Sequence, residues 1–138
     1  MKKILLILTL VFSSYIFAQN EASNWYFGFG AGIQFDVGTG VVTSLDDGVL
    51  STNEGSTTIS DSDGNLLFYT DGSTVYNSQH NVMANGTGLF GDPSSTQSAL
   101  IVPKPLDDNI YYIFTVDTTI GNDPDFGFNY SEVDMTLD

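Results

Sequence analysis

The chain has 138 residues, with 17 Asp and Glu against 3 Lys and Arg, a formal net charge of −14 and no cysteine. That balance excludes a nucleic-acid binder relying on a basic patch. The missing thiol excludes disulfides, a cysteine nucleophile and a lipid anchor on an N-terminal cysteine.

Lys2 and Lys3 precede an apolar run, Ile4 to Ala18, that contains Ser13 and Ser14. A charged start, an apolar stretch and a small closing residue predict a signal peptide over 1–18, cleaved after Ala18. The run is short for a membrane span of roughly 20 residues, so no span is predicted. Residues 19–138 keep one cation, Lys104, against all 17 acids, a net of −16. The expected location is secreted or on the outer cell surface.

Beyond the leader, apolar residues come in bursts of four to eight separated by Gly, Asn, Asp and Ser, without helical spacing. The bursts are rich in Val, Ile, Thr, Tyr and Phe, which predicts an all-β fold. Trp25 to Asp36 alternates strictly and predicts one long strand, with Trp25, Phe27, Phe29, Ile33 and Phe35 on one face. Gly28, Gly30 and Gly32 fall on the other face. They are not a dinucleotide loop, because Ile33 holds the position of the last glycine and no helix follows. A turn is expected at Gly38-Thr39-Gly40. Strands Ser56–Ser60 and Leu66–Thr70 flank the hairpin turn Asp61-Ser62-Asp63-Gly64-Asn65. Asp71-Gly72 turns the chain into a strand at Thr74–Asn77, and Ser78–Gly91 reads as irregular. Further strands are predicted at Ser98–Val102, Ile110–Val116 and about Phe126–Val133.

Two of these units repeat. Ser56–Ser60 with Leu66–Thr70 resembles Ser98–Val102 with Ile110–Val116, at an offset of 42 to 45 residues. Within it, Leu67-Phe68-Tyr69-Thr70-Asp71 matches Tyr112-Ile113-Phe114-Thr115 and, after a one-residue shift, Asp117. A period of about 40 to 50 with short strands predicts β-propeller blades. Residues 19–138 would hold about two blades of an incomplete β-propeller, with a β-sandwich as the alternative. Since a ring needs roughly four to eight blades, the chain reads as the N-terminal part of a longer protein. The last blade's open face is expected to contain Leu100, Ile113 and Phe114.

Candidate chemistry is sparse. His80, the only histidine, lacks a Gly-x-Ser-x-Gly elbow and reads as a solvated or turn-capping residue. Glu54 is the most suggestive single acid for glycosidase chemistry, but a solvated role is preferred. Asp61-x-Asp63-x-Asn65 spaces three oxygen donors like the start of a calcium loop. Leu66 and Gly72 stand where such a loop needs Gly and Glu, so an Asx-type turn is preferred, with calcium as the alternative. No other cofactor and no catalytic set is predicted. Trp25, Tyr76 and Tyr130 could stack on a sugar ring if exposed, although burial is the expected fate of each.

Several phrases resemble a known family: Asn24-Trp25-Tyr26-Phe27-Gly28, Glu54-Gly55-Ser56, Ser60-Asp61-Ser62-Asp63-Gly64-Asn65-Leu66-Leu67-Phe68-Tyr69-Thr70-Asp71-Gly72, Val75-Tyr76-Asn77, Ser94-Ser95-Thr96-Gln97-Ser98-Ala99 and Tyr111-Tyr112-Ile113-Phe114-Thr115. They are similar to the opening of large secreted surface proteins of gliding, type IX-secreting bacteria. The resemblance implies a propeller-type region, often followed by immunoglobulin-like repeats and a C-terminal sorting domain. It carries no catalytic residues. The expected function is a binding or structural module whose partners are an extracellular protein or carbohydrate and the remaining blades. The alternative is the opening of a secreted hydrolase with its catalytic residues beyond Asp138.

Overall fold

The computed structural model describes residues 20–118 and 126–137; the expected signal peptide, residues 1–18, lies outside them. Ten strands form three antiparallel sheets, with no α-helix among the described residues. No helix among them is long and apolar enough to cross a membrane. Sheet A holds β1 (Asn24–Tyr26), β2 (Gly32–Phe35) and β3 (Val42–Leu45). Sheet B holds β4 (Thr57–Ser60), β5 (Leu66–Thr70), β6 (Thr74–Asn77) and β7 (Val82–Thr87). Sheet C holds β8 (Ala99–Pro103), β9 (Ile110–Val116) and β10 (Phe128–Asp134). Each sheet is a meander in chain order, and none closes on itself.

The all-β expectation holds, but three sheets stand where the repeat predicts about two units. The difference lies in the opening strand. Trp25–Asp36 is a hairpin in which Trp25 pairs with Ile33 and Tyr26 with Gly32. Its corner is a 3₁₀ turn at Gly28–Gly30, with Phe29 left-handed at φ 61°. Gly28 is required there, since a Cβ would sit 1.7 Å from the Thr52 carbonyl oxygen. β3 then joins β2 through the turn at Gly38, which Asp36 organises by accepting the Gly38 and Thr39 amides at 3.1 and 2.7 Å. β7 also forms, inside the stretch read as irregular.

Sheet B is the middle layer. On its β5 strand, Phe68 and Tyr69 are both fully buried but point to opposite faces. Phe68 joins Ile59, Val75 and Met83 against Ala99, Ile101, Tyr111 and Ile113 of sheet C. Tyr69 meets Tyr26 and Leu50 on the sheet A side. A bulge adjusts this division: Ile59 pairs with Phe68 and Ser60 with Leu66, leaving Leu67 as the extra residue. Leu67 therefore packs with Phe68 on the sheet C side, while Leu66 packs toward sheet A.

The first strands of the three sheets are neighbours, β1 against β4 and β4 against β8. Side chains tie β1 to β4 where no backbone ladder runs. Asn24 donates to Ser60 Oγ at 3.0 Å and to the Gly64 carbonyl at 2.9 Å. The Tyr26 amide donates to Thr58 Oγ1 at 3.0 Å, and Ser56 Oγ donates to the Tyr26 carbonyl at 3.0 Å.

The repeat maps onto β5 and β9, the second strands of sheets B and C. Matching Thr70 to Thr115 nonetheless crosses faces, because Phe68 and Thr70 point toward sheet C whereas Ile113 and Thr115 point back toward sheet B. Aligning Asp71 with Asp117 instead matches Phe68 to Phe114, and each then faces away from the preceding sheet. Ile113, expected on the open face, is fully buried between sheets B and C. Leu100 and Phe114 do lie on the far face of sheet C, paired side by side.

Candidate functional site

At the seam of sheets A and B, four side chains that are remote in sequence converge. Tyr26 comes from β1, Tyr69 from β5, Asp47 from the β3–β4 connection and His80 from the β6–β7 turn. The Tyr26 and Tyr69 rings stack at 4.7 Å, and Tyr76 stacks on the other side of Tyr69 at 5.5 Å. His80 meets Tyr26 edge-on at 5.4 Å. The His80 turn is built by Asn77, whose Oδ1 accepts the Gln79 and Asn81 amides at 3.1 and 3.0 Å. His80 takes a left-handed φ of 62° there, a conformation in which His is enriched.

Hydrogen bonds and one close charge contact link the four side chains. Tyr26 OH donates to Asp47 Oδ1 at 2.9 Å. Tyr69 oxygen accepts the Val49 amide at 3.3 Å and lies 2.9 Å from His80 Nδ1. Nε2 of the same ring lies 3.4 Å from Asp47 Oδ2. The result is a chain Tyr26–Asp47–His80–Tyr69. Burial, followed by the hydrogen bond to Asp47, raises the Tyr26 phenol far above its ordinary pKa. Burial also raises Tyr69, against the opposing effect of the Val49 amide.

Carboxylate, imidazole and hydroxyl occur here in the order of a nucleophilic triad. The hydroxyl is the fully buried Tyr69, which no substrate reaches, so the arrangement acts as a clamp between two sheets. His80 is thus a turn residue, as expected, but its ring is engaged rather than solvated. The Asp47–His80–tyrosine cluster was not foreseen from sequence.

The calcium candidate, Asp61, Asp63 and Asn65, lies on the turn between β4 and β5. Asp61 Oδ1 accepts the Asp63 and Asn65 amides at 2.9 and 2.8 Å, and Oδ2 accepts the Asn65 side chain at 2.9 Å. Burial opposes ionisation of Asp61, but these bonds outweigh it and lower its pKa. Among the described residues, no three His, Cys, Asp or Glu side chains gather closely enough to hold a metal ion. Glu54 is exposed.

Two aromatic surfaces remain. The far face of sheet C presents Leu100, Tyr112, Phe114, Phe128 and Tyr130, with Phe128 and Tyr130 about 70% and 68% exposed. A notch of about 280 Å³ opens there between Leu100, Phe114, Val116 and Phe128. The far face of sheet A presents Trp25, Ile33, Phe35 and Val42. Trp25 packs edge-on against Phe35 at 5.6 Å and donates its Nε1–H to the Ala22 carbonyl at 2.9 Å. Trp25 and Tyr130 are exposed where burial was expected, whereas Tyr76 is half-buried. Between sheets B and C, a cleft of about 380 Å³ is lined by Val75, Met83, Leu89 and Val133, with Glu132 and Asp134 beside it.

No family model, curated protein or solved structure matches this chain.

Proposed function

We propose that this chain is a propeller-type binding and structural module of a bacterial surface protein, carried outside the cell by its signal peptide. The observation that supports it most is the arrangement of three stacked meanders with β1, β4 and β8 side by side. Blades around a common axis place their first strands in this way. The charge of −14 suits an extracellular surface that resists adhesion to anionic neighbours. The polar cluster at the A–B seam is spent on holding sheets together, which favours a scaffold over an enzyme. The open faces are aromatic with few polar neighbours, which favours protein surfaces over sugars as ligands.

Expression in a type IX-secreting host, followed by fractionation and intact-mass analysis, tests the reading. The expected product is extracellular and begins at Gln19. A retained product that still carries Lys2 and Lys3 overturns it.

A further inference from the structure

Sheet C repeats the chemistry of a face that is already occupied inside this chain. Phe68 of sheet B points away from the preceding sheet and is covered by Tyr111 of sheet C, edge-on at 5.5 Å. Phe114 holds the matching place in sheet C. It is flanked by Phe128, stacked at 5.6 Å, and by Tyr130 at 6.3 Å, and both flanking rings are largely exposed. At the opposite end of the stack, the second strand of sheet A presents Ile33 and Phe35 outward. Sheet C presents Tyr111 and Ile113 from its own second strand to sheet B in the same manner. The molecule therefore carries both halves of its B–C contact, one on each outer face.

We infer that a second copy of this chain docks head-to-tail, the sheet A face of one on the sheet C face of the other. Trp25, 46% exposed on sheet A, has the size and type of an interface anchor. The sheet C notch between Leu100, Phe114 and Phe128 is apolar enough to receive it. Each face exposes aromatic and aliphatic side chains side by side, the kind of surface that marks an interaction site. The contact joins unlike faces, so it either closes a ring or extends as a filament. The inference rests on reading the sheets as blade-like units.

The net charge of −14 gives the contact a characteristic salt dependence. Like-charged copies repel over roughly 30 Å at 0.01 M salt but only about 8 Å at 0.15 M. Association should therefore strengthen as salt rises, opposite to a contact held by ion pairs.

Sedimentation velocity of the purified protein across concentration and salt tests this. The expected result is a concentration-dependent dimer or longer assembly, stronger at 0.15 M than at 0.01 M salt. Tyr130→Asp on sheet C and Val42→Glu on sheet A should each weaken it roughly tenfold or more. Both positions are exposed, and unchanged melting curves would confirm that the variants fold; Phe128→Ser and Trp25→Ser are the second pair. Mixing the sheet A variant with the sheet C variant should restore a one-to-one dimer, because one intact pair of faces remains. A monomer under all conditions overturns the contact and leaves the faces to a different chain. Association broken only by the sheet C variants also overturns it, because that marks a like-with-like contact. Neither outcome bears on export, so a monomeric extracellular product would leave the proposed module standing.

Discussion

Thr70 and Thr115 are matched by the sequence repeat, and both are sealed from solvent, yet their hydroxyls have opposite fates. Thr70 Oγ1 donates to the Thr74 carbonyl at 2.6 Å and accepts the Gly72 amide at 2.9 Å. Thr115 Oγ1 is buried without a partner. The same isosteric change should therefore divide them. Thr70→Val is expected to cost about 1–3 kcal/mol, because it strands a buried amide and carbonyl. Thr115→Val should be neutral or stabilising, and urea midpoints of the two variants check the contrast. This difference was illegible in the sequence because it depends on which face each threonine takes. The turn aspartates were legible, because Asp61 and Asp36 bond to backbone only a few residues away. Asp61→Ala should cost about 1 kcal/mol for an exposed set of such bonds. Millimolar calcium should leave the melting temperature unchanged, whereas a large shift abolished by Asp63→Ala would favour the metal reading over the turn.

At the scale of elements, six of the seven predicted strands correspond to single strands of the fold, and Leu66–Thr70, Thr74–Asn77 and Ile110–Val116 match residue for residue. The failures share a cause. Alternation over Trp25–Asp36 is the same whether the strand runs straight or folds back, and only the close approach of Thr52 reveals why Gly28 marks a corner. β3 is almost wholly exposed, and β7 carries Asn85 at φ 56° within it, so neither shows an uninterrupted apolar period. The clamp at the A–B seam was hidden for a different reason. Its members sit on four separate segments, so their spacing makes no motif, and a lone histidine among asparagines reads as turn chemistry. The clamp itself is testable, since Tyr69→Phe removes the acceptor of the Val49 amide and the partner of His80. A loss of about 1–3 kcal/mol is expected in thermal melts.

For the whole molecule, two cores meet on one strand, and β5 contributes Phe68 to one and Tyr69 to the other. Phe68→Ala should cost about 3–5 kcal/mol, and because both cores hang on β5, fluorescence and circular dichroism should lose them in a single transition. Stability should also be bounded on both sides of neutral pH. The hydroxyls of Thr39, Thr118 and Thr136 hold the Asp36, Asp92 and Asp134 carboxyls below the ordinary value. These groups and Asp61 bind fewer protons folded than unfolded, so their contribution is complete above about pH 4 and vanishes as pH falls through the folded values. Burial raises Tyr26, Tyr69 and Tyr111. Their contribution is complete below about pH 10 and is lost as pH climbs through the raised values. Melting temperatures from pH 2 to 12 should trace this dome. The side-chain ties between β1 and β4 also impose an order in time. Every strand in these sheets pairs with a chain neighbour, so each meander can zip from local contacts. Sheet A must wait for its covering layer, because Asn24 needs Ser60, 36 residues further on, and Gly64, 40 further on. Sheet A finishes folding only after residues 60–64 have joined it.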